Sequence, residues 1–292
     1  MKVLNFGSLN YDYVYEVDHF VLPKETISSL SYGRNFGGKG LNQSIALAKA
    51  GMDVYHAGRV GNDGQDFIDY LNEYGVKTNY LLKDINEATG HAIIEVCEGQ
   101  NCIILHGGAN QRIDEKQVDD VLVNFTNEDV LLVQNEISSM NYILTKAHEK
   151  GMKIVFNTAP MNEKIFTYPL DLADIFIVNE VEAMGLVGSK SEDIDTIISM
   201  LQTQFNTKEI VLTVGEKGAY FITGDSCIHE EAISVKAVDT TAAGDTFTGF
   251  FLASYLNDND AKSALKLATK ASSITVQGKG AAKSIPSIKD LK

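Results

Sequence analysis

Val238-Asp239-Thr240-Thr241-Ala242-Ala243-Gly244-Asp245-Thr246-Phe247-Thr248-Gly249-Phe250-Phe251 carries a run of small residues straight into a helix. Phe247, Phe250, Phe251 and Tyr255 recur at helical spacing, so one face of that helix belongs to a core. Ala242, Ala243 and Gly244 are too small to cover the first backbone amides. A helix start left bare in this way carries about half a positive charge and unpaired N–H donors, which suits an anion. Asp245 stands in the same first turn, where its carboxylate can take a proton from an attacking hydroxyl. An acidic residue at that position more often only complements the helix dipole, so the rest of the chain must decide.

Upstream of this stretch, short β-branched runs at 3–6, 54–60, 130–133, 153–156, 175–178 and 210–214 read as buried strands. Helical periodicity at 41–50, 65–74, 139–150, 192–204, 243–256 and 261–277 alternates with them. The rhythm predicts an α/β fold in which a doubly wound, mostly parallel sheet is flanked by helices, with 1–292 as a single domain. Segments 13–32 and 89–105 break the rhythm with strand-like runs and no helix between them, which predicts a small β-sheet set apart as a lid. Within the second, 92–96 and 102–105 flank Glu98-Gly99-Gln100-Asn101 as a hairpin. Gly107-Gly108 just beyond suits a hinge or an edge extension of the main sheet, and 288–292 reads as a loosely held tail.

At 292 residues and 44% hydrophobic content the chain can build a sizeable core. A formal charge of −14 opposes polyphosphate backbones and argues against nucleic acid as a partner. A small anion must therefore be held by local devices such as helix starts. No apolar run is long enough for a membrane helix, and Gly7 interrupts the N-terminal run too early for a secretory leader, so no membrane partner and a cytoplasmic location are expected. Cys97, Cys102 and Cys227 form no C-x-x-C pair and read as reduced, partly buried thiols. The six histidines lack metal-site spacing.

A second glycine-rich helix start is Gly37-Gly38-Lys39-Gly40-Leu41-Asn42-Gln43-Ser44. The spacing Gly33, Gly38, Lys39 imitates a P-loop, yet Gly40 occupies the place of the magnesium-binding Ser or Thr, and 31–34 is no buried parallel strand. A dinucleotide fingerprint is also absent after the first strand, where the chain reads Phe6-Gly7-Ser8-Leu9-Asn10-Tyr11-Asp12. That strand instead delivers Asn10 and Asp12 at its carboxyl end, either to bind substrate hydroxyls or to form an Asx-turn.

Residues 36–43 resemble the first signature of the ribokinase-like (PfkB) carbohydrate kinases, and 239–249 resemble their second. Asn179-Glu180-Val181-Glu182 is similar to the family's N-x-x-E element, and Thr213-Val214-Gly215-Glu216-Lys217-Gly218 to its nucleotide-binding turn. The resemblance covers essentially the whole chain and is closest to the ribose-phosphorylating branch. It implies an ATP-dependent sugar kinase with Asp245 as base and the amides of Ala242, Ala243 and Gly244 as anion hole. Sugar contacts fall on Asn10, Asp12, Gly38, Lys39, Gly40, Asn42 and Glu136. Nucleotide contacts fall on Asn179, Thr213, Gly215, Gly218 and Gly244, with Thr269 in the adenine region. Glu182 joins the Mg2+ network, and Asp239, Thr241, Thr275, Gly278, Gly280 and Ser284 match an activating K+ site. Gly278 and Gly280 read equally as an ordinary turn before Pro286.

His91 and Glu95 depart from the apolar residues usual in the family's lid. An exposed apolar lid strand implies a homodimer through the lid. Competing readings are a kinase for another furanose or a nucleoside, and a catalytically silent sugar- or nucleotide-binding regulator.

Overall fold

The computed structural model describes residues 1–291, and two sheets account for all their strands. In chain order the strands are Val3–Phe6 (β1), Asn10–Glu16 (β2), Ser31–Gly37 (β3), Val54–Gly61 (β4), Lys77–Asp84 (β5), Gly90–Cys97 (β6) and Gln100–His106 (β7). They continue with Val130–Gln134 (β8), Lys153–Asn157 (β9), Ile175–Asn179 (β10), Glu209–Thr213 (β11), Ala219–Ile222 (β12) and Cys227–Glu230 (β13). The helices are Lys39–Lys49 (α1), Gln65–Glu73 (α2), Glu115–Leu122 (α3), Met140–Glu149 (α4), Glu180–Val187 (α5), Ile194–Gln204 (α6), Ala243–Asp258 (α7), Ala261–Thr275 (α8) and Ala281–Ser284 (α9).

The large sheet has the order β13-β12-β11-β10-β9-β8-β1-β4-β5 and is parallel from β5 through β11. The β12–β13 edge is antiparallel. Each face buries its own core. Val3, Leu132 and Val211 pack with Leu41, Phe250, Phe251 and Leu265 on one side, while Leu4, Val133 and Phe176 pack with Val118, Leu144 and Leu201 on the other. This alternation within strands covered on both faces explains their near-continuous apolar sequence. The doubly wound, mostly parallel α/β architecture is thus the one the sequence rhythm predicts.

Several elements escape that rhythm. On the edge strand β5 only Leu81 is buried, so its polar residues hide the strand signal. The edge strand β13, its neighbour β12 and the eight-residue helices α3 and α5 are likewise too short or too polar to read. The expectation of one core face on α7 is too narrow, since every residue from Asp245 to Ala253 is buried. α7 runs between α1 and α8, and a Cβ on Gly249 would collide with the Ala46 side chain where α1 and α7 meet.

The small sheet has the order β3-β2-β6-β7. Its strands start earlier, at Asn10, and end later, at Gly37, than the segment 13–32. Asn10 and Asp12 therefore lie on β2 of this sheet rather than on the end of β1. β3 pairs antiparallel to β2, which removes the structural context a P-loop needs. The β6–β7 turn is tighter than residues 98–101: Glu98 and Gly99 alone form it, with φ of 48° and 78°, as a two-residue turn of primed type requires.

Side-chain alternation puts Asn10, Asp12, Gly90 and Ala92 on one face and Tyr11, Tyr13, His91 and Glu95 on the other. His91 meets the Tyr13 ring edge-on, and Glu95 accepts from the Val21 amide at 3.2 Å. Both departures from apolar character thus sit away from the face that carries Asn10 and Asp12.

Two further expectations are corrected. Cys102 and Cys227 are exposed rather than partly buried, because both lie on edge strands. Residues 288–291 form a helical turn with Leu291 buried and its carbonyl bonded by Lys270 Nζ at 2.7 Å, while Lys292 lies outside the described residues.

The join between the sheets is packed backbone on backbone. Leu41 donates to the Ser8 carbonyl at 3.0 Å, and a Cβ on Gly40 would lie 2.6 Å from the Gly7 carbonyl carbon. Gly40 is thus a close-approach glycine. Gly40→Ala is expected to lower the unfolding free energy by about 1–3 kcal/mol, the range for overpacking a filled site. An unchanged urea midpoint would contradict this packing.

Candidate active site

Asp245 is set by two neighbours on α1. Asn42 Nδ2 donates to its Oδ2 at 3.0 Å and Gln43 Nε2 to its Oδ1 at 2.9 Å, both within the buried α1–α7 contact. Asn42, expected at the sugar, holds the carboxylate through its amide NH2, and its Oδ1 is buried without a partner. Gln43 has no counterpart among the residues read from sequence. A glutamine inside a helix carries no signal of its own until the helix is docked.

The two glycine-rich helix starts differ in what their amides do. At α1, Gly38 has φ 97°, Lys39 N donates to Glu136 Oε2 at 3.1 Å, and Gly40 N donates to Ser8 Oγ at 3.3 Å. Ser8 Oγ in turn donates to Glu136. At that start the Lys39 and Gly40 amides are taken by the protein itself.

At α7, Ala242 takes the left-handed conformation, with φ 62° and ψ 10°. Ala243 N donates to the Thr240 carbonyl at 3.2 Å, so its amide is not free as expected. The amides of Ala242, Gly244 and Asp245 find no acceptor among the described residues. A Cβ built on Gly244 meets nothing within 4 Å. This start is therefore an open concavity of N–H donors beside Asp245, the arrangement that stabilises charge on a transferring group.

Charged groups converge from four elements. Asp12 on β2 is raised to about 7 by burial and by the neighbouring Glu136. Burial also raises Glu136, outweighing Lys39, Ser8 and the Lys39 amide. Burial alone would lower Lys39, but Asp245, Glu136 and Glu182 together hold its ammonium above its ordinary value. Lys39 is thus a fixed cation among three carboxylates.

Asn10 accepts from Asn110 Nδ2 at 2.8 Å, which turns its own NH2 outward, and Asn110 also binds both backbone groups of Leu9. Gly108, with φ 49°, packs beside the Ala88 carbonyl in the same join. Asn179 and Glu182 form a reciprocal cap on α5. Glu182 Oε2 accepts from Asn179 N and Oε1 from Asn179 Nδ2, each at 3.0 Å. Burial raises the Glu182 carboxyl.

On the other side of the α7 start lies a cavity of about 480 Å³ lined by Thr213, Gly215, Gly218, Gly244, Phe247 and Thr269. Five of the six residues expected at the nucleotide are brought together here. Asn179 does not line it but is paired with Thr213 on the neighbouring strand. Thr269 Oγ1 is buried and unpartnered, a polar point in a wall to which Phe247, Ser272, Ser273 and Val276 also contribute. Ile233 and Val235 complete the wall from a segment with no periodicity for sequence reading to find. Gly218, with φ 96°, lies against Glu230 and Ala232 and seats that segment. A second cavity of about 230 Å³ opens beside Asn10 and Glu136 and is bounded by Asn162 and Lys164.

The residues expected to hold a monovalent cation also converge. Asp239 accepts from Thr241 N at 2.9 Å and Gly280 N at 3.0 Å, which ties the two loops together. Gly278 bonds the Thr275 carbonyl and packs on Ser284. Thr275 is fully buried, with its hydroxyl on Thr246.

A sheet-based α/β body, a small sheet carrying acids, and an open helix start beside a carboxylate and a cavity define a group-transfer enzyme. The model of the pfkB family carbohydrate kinases matches residues 1–288, and the chain belongs to that family. It is a sugar kinase. The ribokinase of Staphylococcus aureus (strain COL) is 36% identical over 99% of this chain and 98% of its own. The crystal structure of ribokinase from Cryptococcus neoformans var. grubii serotype A in complex with ADP superposes with TM-score 0.87, at 32% identity over 99% of this chain and 98% of that one. That of Arabidopsis thaliana ribokinase complexed with ribose and ATP also gives 0.87, at 29% identity over 99% and 97%.

Because Gly244 is helical and its missing Cβ faces open space, Gly244→Ala is expected to keep or raise stability by about 0.5–1 kcal/mol. Its kinase turnover is expected to fall at least roughly tenfold, as for a crowded oxyanion site. Retained turnover in a steady-state assay would show that the open amides face nothing the reaction uses.

Proposed function

We propose that the chain transfers the γ-phosphoryl group of ATP to the exocyclic CH2OH of ribose, giving ribose 5-phosphate. The observation that carries this reading is the Asp245 carboxylate, held by Asn42 and Gln43 beside the open start of α7. Ribose binds with its hydroxyls donating to Asp12 and Glu136 and accepting from the Asn10 amide. Asp12 and Glu136 each lie in surroundings that penalise their charge, so hydroxyl donors there are favourable.

ATP lies in the large cavity, with adenine between Phe247 and Val276 near the Thr269 hydroxyl and its phosphates toward the α7 start. Asp245 removes the proton as the hydroxyl oxygen attacks in line, and the amides of Ala242 and Gly244 receive the developing charge. Lys39 adds a fixed positive charge close to the transferring group. The small sheet acts as a lid on the join at Gly107-Gly108, excludes water, and works with the large sheet as one domain of 1–292.

Mg2+ screens the phosphates when bound, and Glu182 is the buried acid with oxygens suited to it through water. The loops tied by Asp239 and Gly280 suit K+, a hard cation held largely by carbonyl oxygens around Asp239, Thr241, Thr275, Gly278, Gly280 and Ser284. Ile103, Ile104 and Leu105 on β7 are exposed at 55%, 70% and 48%, an apolar strip that supports homodimerisation through the lid. The charge of −14 speaks against nucleic acid, and a cytoplasmic location, where ATP is at hand, accords with the reading. Among the described residues no helix is long and apolar enough to cross a membrane.

ADP release measured over ribose, other furanoses and nucleosides, in K+ and in tetramethylammonium, tests the assignment. Ribose is expected to lead and K+ to accelerate it. Asp245→Asn is expected to lower kcat by roughly two to four orders of magnitude while folding normally. Near-full activity in that variant would remove Asp245 as base. Solution scattering is expected to give twice the monomer mass, and a monomer with and without ribose would refute the dimer.

A further inference from the structure

We propose that Gln43 and Gln134 are positioning residues for the reaction, forming a buried amide relay that fixes which way the Asp245 carboxylate faces. The relay begins at the Gln43 Nε2 to Asp245 Oδ1 bond of 2.9 Å. Gln134 Nε2, at the end of β8, donates to Gln43 Oε1 at 2.7 Å and to Asn5 Oδ1 at 2.9 Å. Asn5 Nδ2 donates to the Gly40 carbonyl and to Ser44 Oγ, both at 2.8 Å. Ser44 Oγ and His56 Nδ1 are 2.7 Å apart. Ser44 accepts from Asn5, so its own hydrogen goes to His56.

Asn5, Ser44, His56 and Gln134 are fully buried and Gln43 is 1% exposed. Five polar side chains in such a place are costly to bury, and apolar residues would fill the space with less demand on geometry. Gln134 Oε1 and His56 Nε2 remain without a partner among the described residues, while every other side-chain polar group of the five is paired. The pairing has one direction. Gln134 presents its NH2 to two oxygens at once, which turns the Gln43 carbonyl toward β8 and leaves the Gln43 NH2 for Asp245. A flip of either amide would set oxygen against oxygen. Burial lowers His56 to about 4, so the far end stays neutral at physiological pH and the relay holds one polarity.

With Asn42 on Oδ2 and Gln43 on Oδ1, the plane of the base is fixed by two donors on adjacent residues of one helix. The charged groups that face Asp245 are Lys39 on α1, Glu136 after β8 and Glu182 on α5, and none of them belongs to the relay. The relay therefore acts on the base by orientation and hydrogen bonding, with those charges held constant.

The inference rests on Asp245 as the base, so Asp245→Asn is assayed alongside. The test is pH-dependent steady-state kinetics on Gln43→Leu, Gln134→Leu and the double variant, each with its thermal midpoint. Gln43→Leu is expected to lower kcat roughly 10- to 100-fold, with KM for ribose within about threefold. Losing a donor to the carboxylate is expected to move the acidic limb of kcat, read at saturating ribose so that Asp12 is already held by substrate, up by roughly one pH unit. Gln134→Leu is expected to shift kcat and the limb in the same direction though it does not touch Asp245. The double variant is expected to be no slower than Gln43→Leu alone, because Gln134 acts through Gln43.

Additive losses, or an unmoved acidic limb in folded variants, would overturn the relay and leave the base standing. Retained activity in Asp245→Asn would overturn both. Gln134→Met replaces Gln134→Leu if the latter does not fold, and Gln43→Leu alone carries the pH arm if neither does.

Discussion

The contact between α1 and α7 is the constraint on which the site depends. Gly249 lets the two helices meet at Ala46, and only at that closeness can Asn42 and Gln43 reach the Asp245 carboxylate. The same docking places the start of α7 with its amides open, while the start of α1 is filled by Glu136 and Ser8. Two sequence stretches that look alike, each with small residues leading into a helix, thereby acquire opposite electrostatic roles. One ties the small sheet to the body, and the other offers donors to an incoming anion.

The groups expected at the sugar and the cavity expected for the nucleotide sit on either side of that opening. The acids Asp12 and Glu136 come from the small sheet and from just past the end of β8, and the larger cavity is lined from β11, α7 and α8. A parallel sheet gathers the ends of its strands at one edge, and here Glu136 follows β8 while Asn179 and Thr213 end the adjacent strands β10 and β11, with β9 between β8 and β10. Because Asn10 is gripped by Asn110 and Gly108 packs on Ala88, the join between the sheets is a fitted contact rather than a slack linker.

Much of this was legible in the sequence. The buried strands are legible because burial on both faces demands unbroken β-branched runs, and Asp245 because its small neighbours have no packing use on an exposed helix start. Gln43 was not legible, since a glutamine on a helix reads as a solvated position until the partner helix is known. Ser8, which closes the first helix start, looks like an ordinary turn residue. The 232–237 wall of the larger cavity has neither period nor pattern, and its place is fixed from outside by Gly218. Asn10 and Asp12 were read on the end of β1 and lie on β2, because the three-residue turn at 7–9 gives no sequence signal of its own.

The central claim is that phosphoryl transfer occurs between Asp245 and the open amides of α7. A crystal structure with ribose, ADP, Mg2+ and aluminium fluoride tests it most directly. The account predicts the fluoroaluminate within hydrogen-bonding distance of the Ala242 and Gly244 amides, with the ribose CH2OH oxygen against the Asp245 carboxylate. A fluoroaluminate seated at the Gly38–Gly40 turn, or a CH2OH directed away from Asp245, would contradict it.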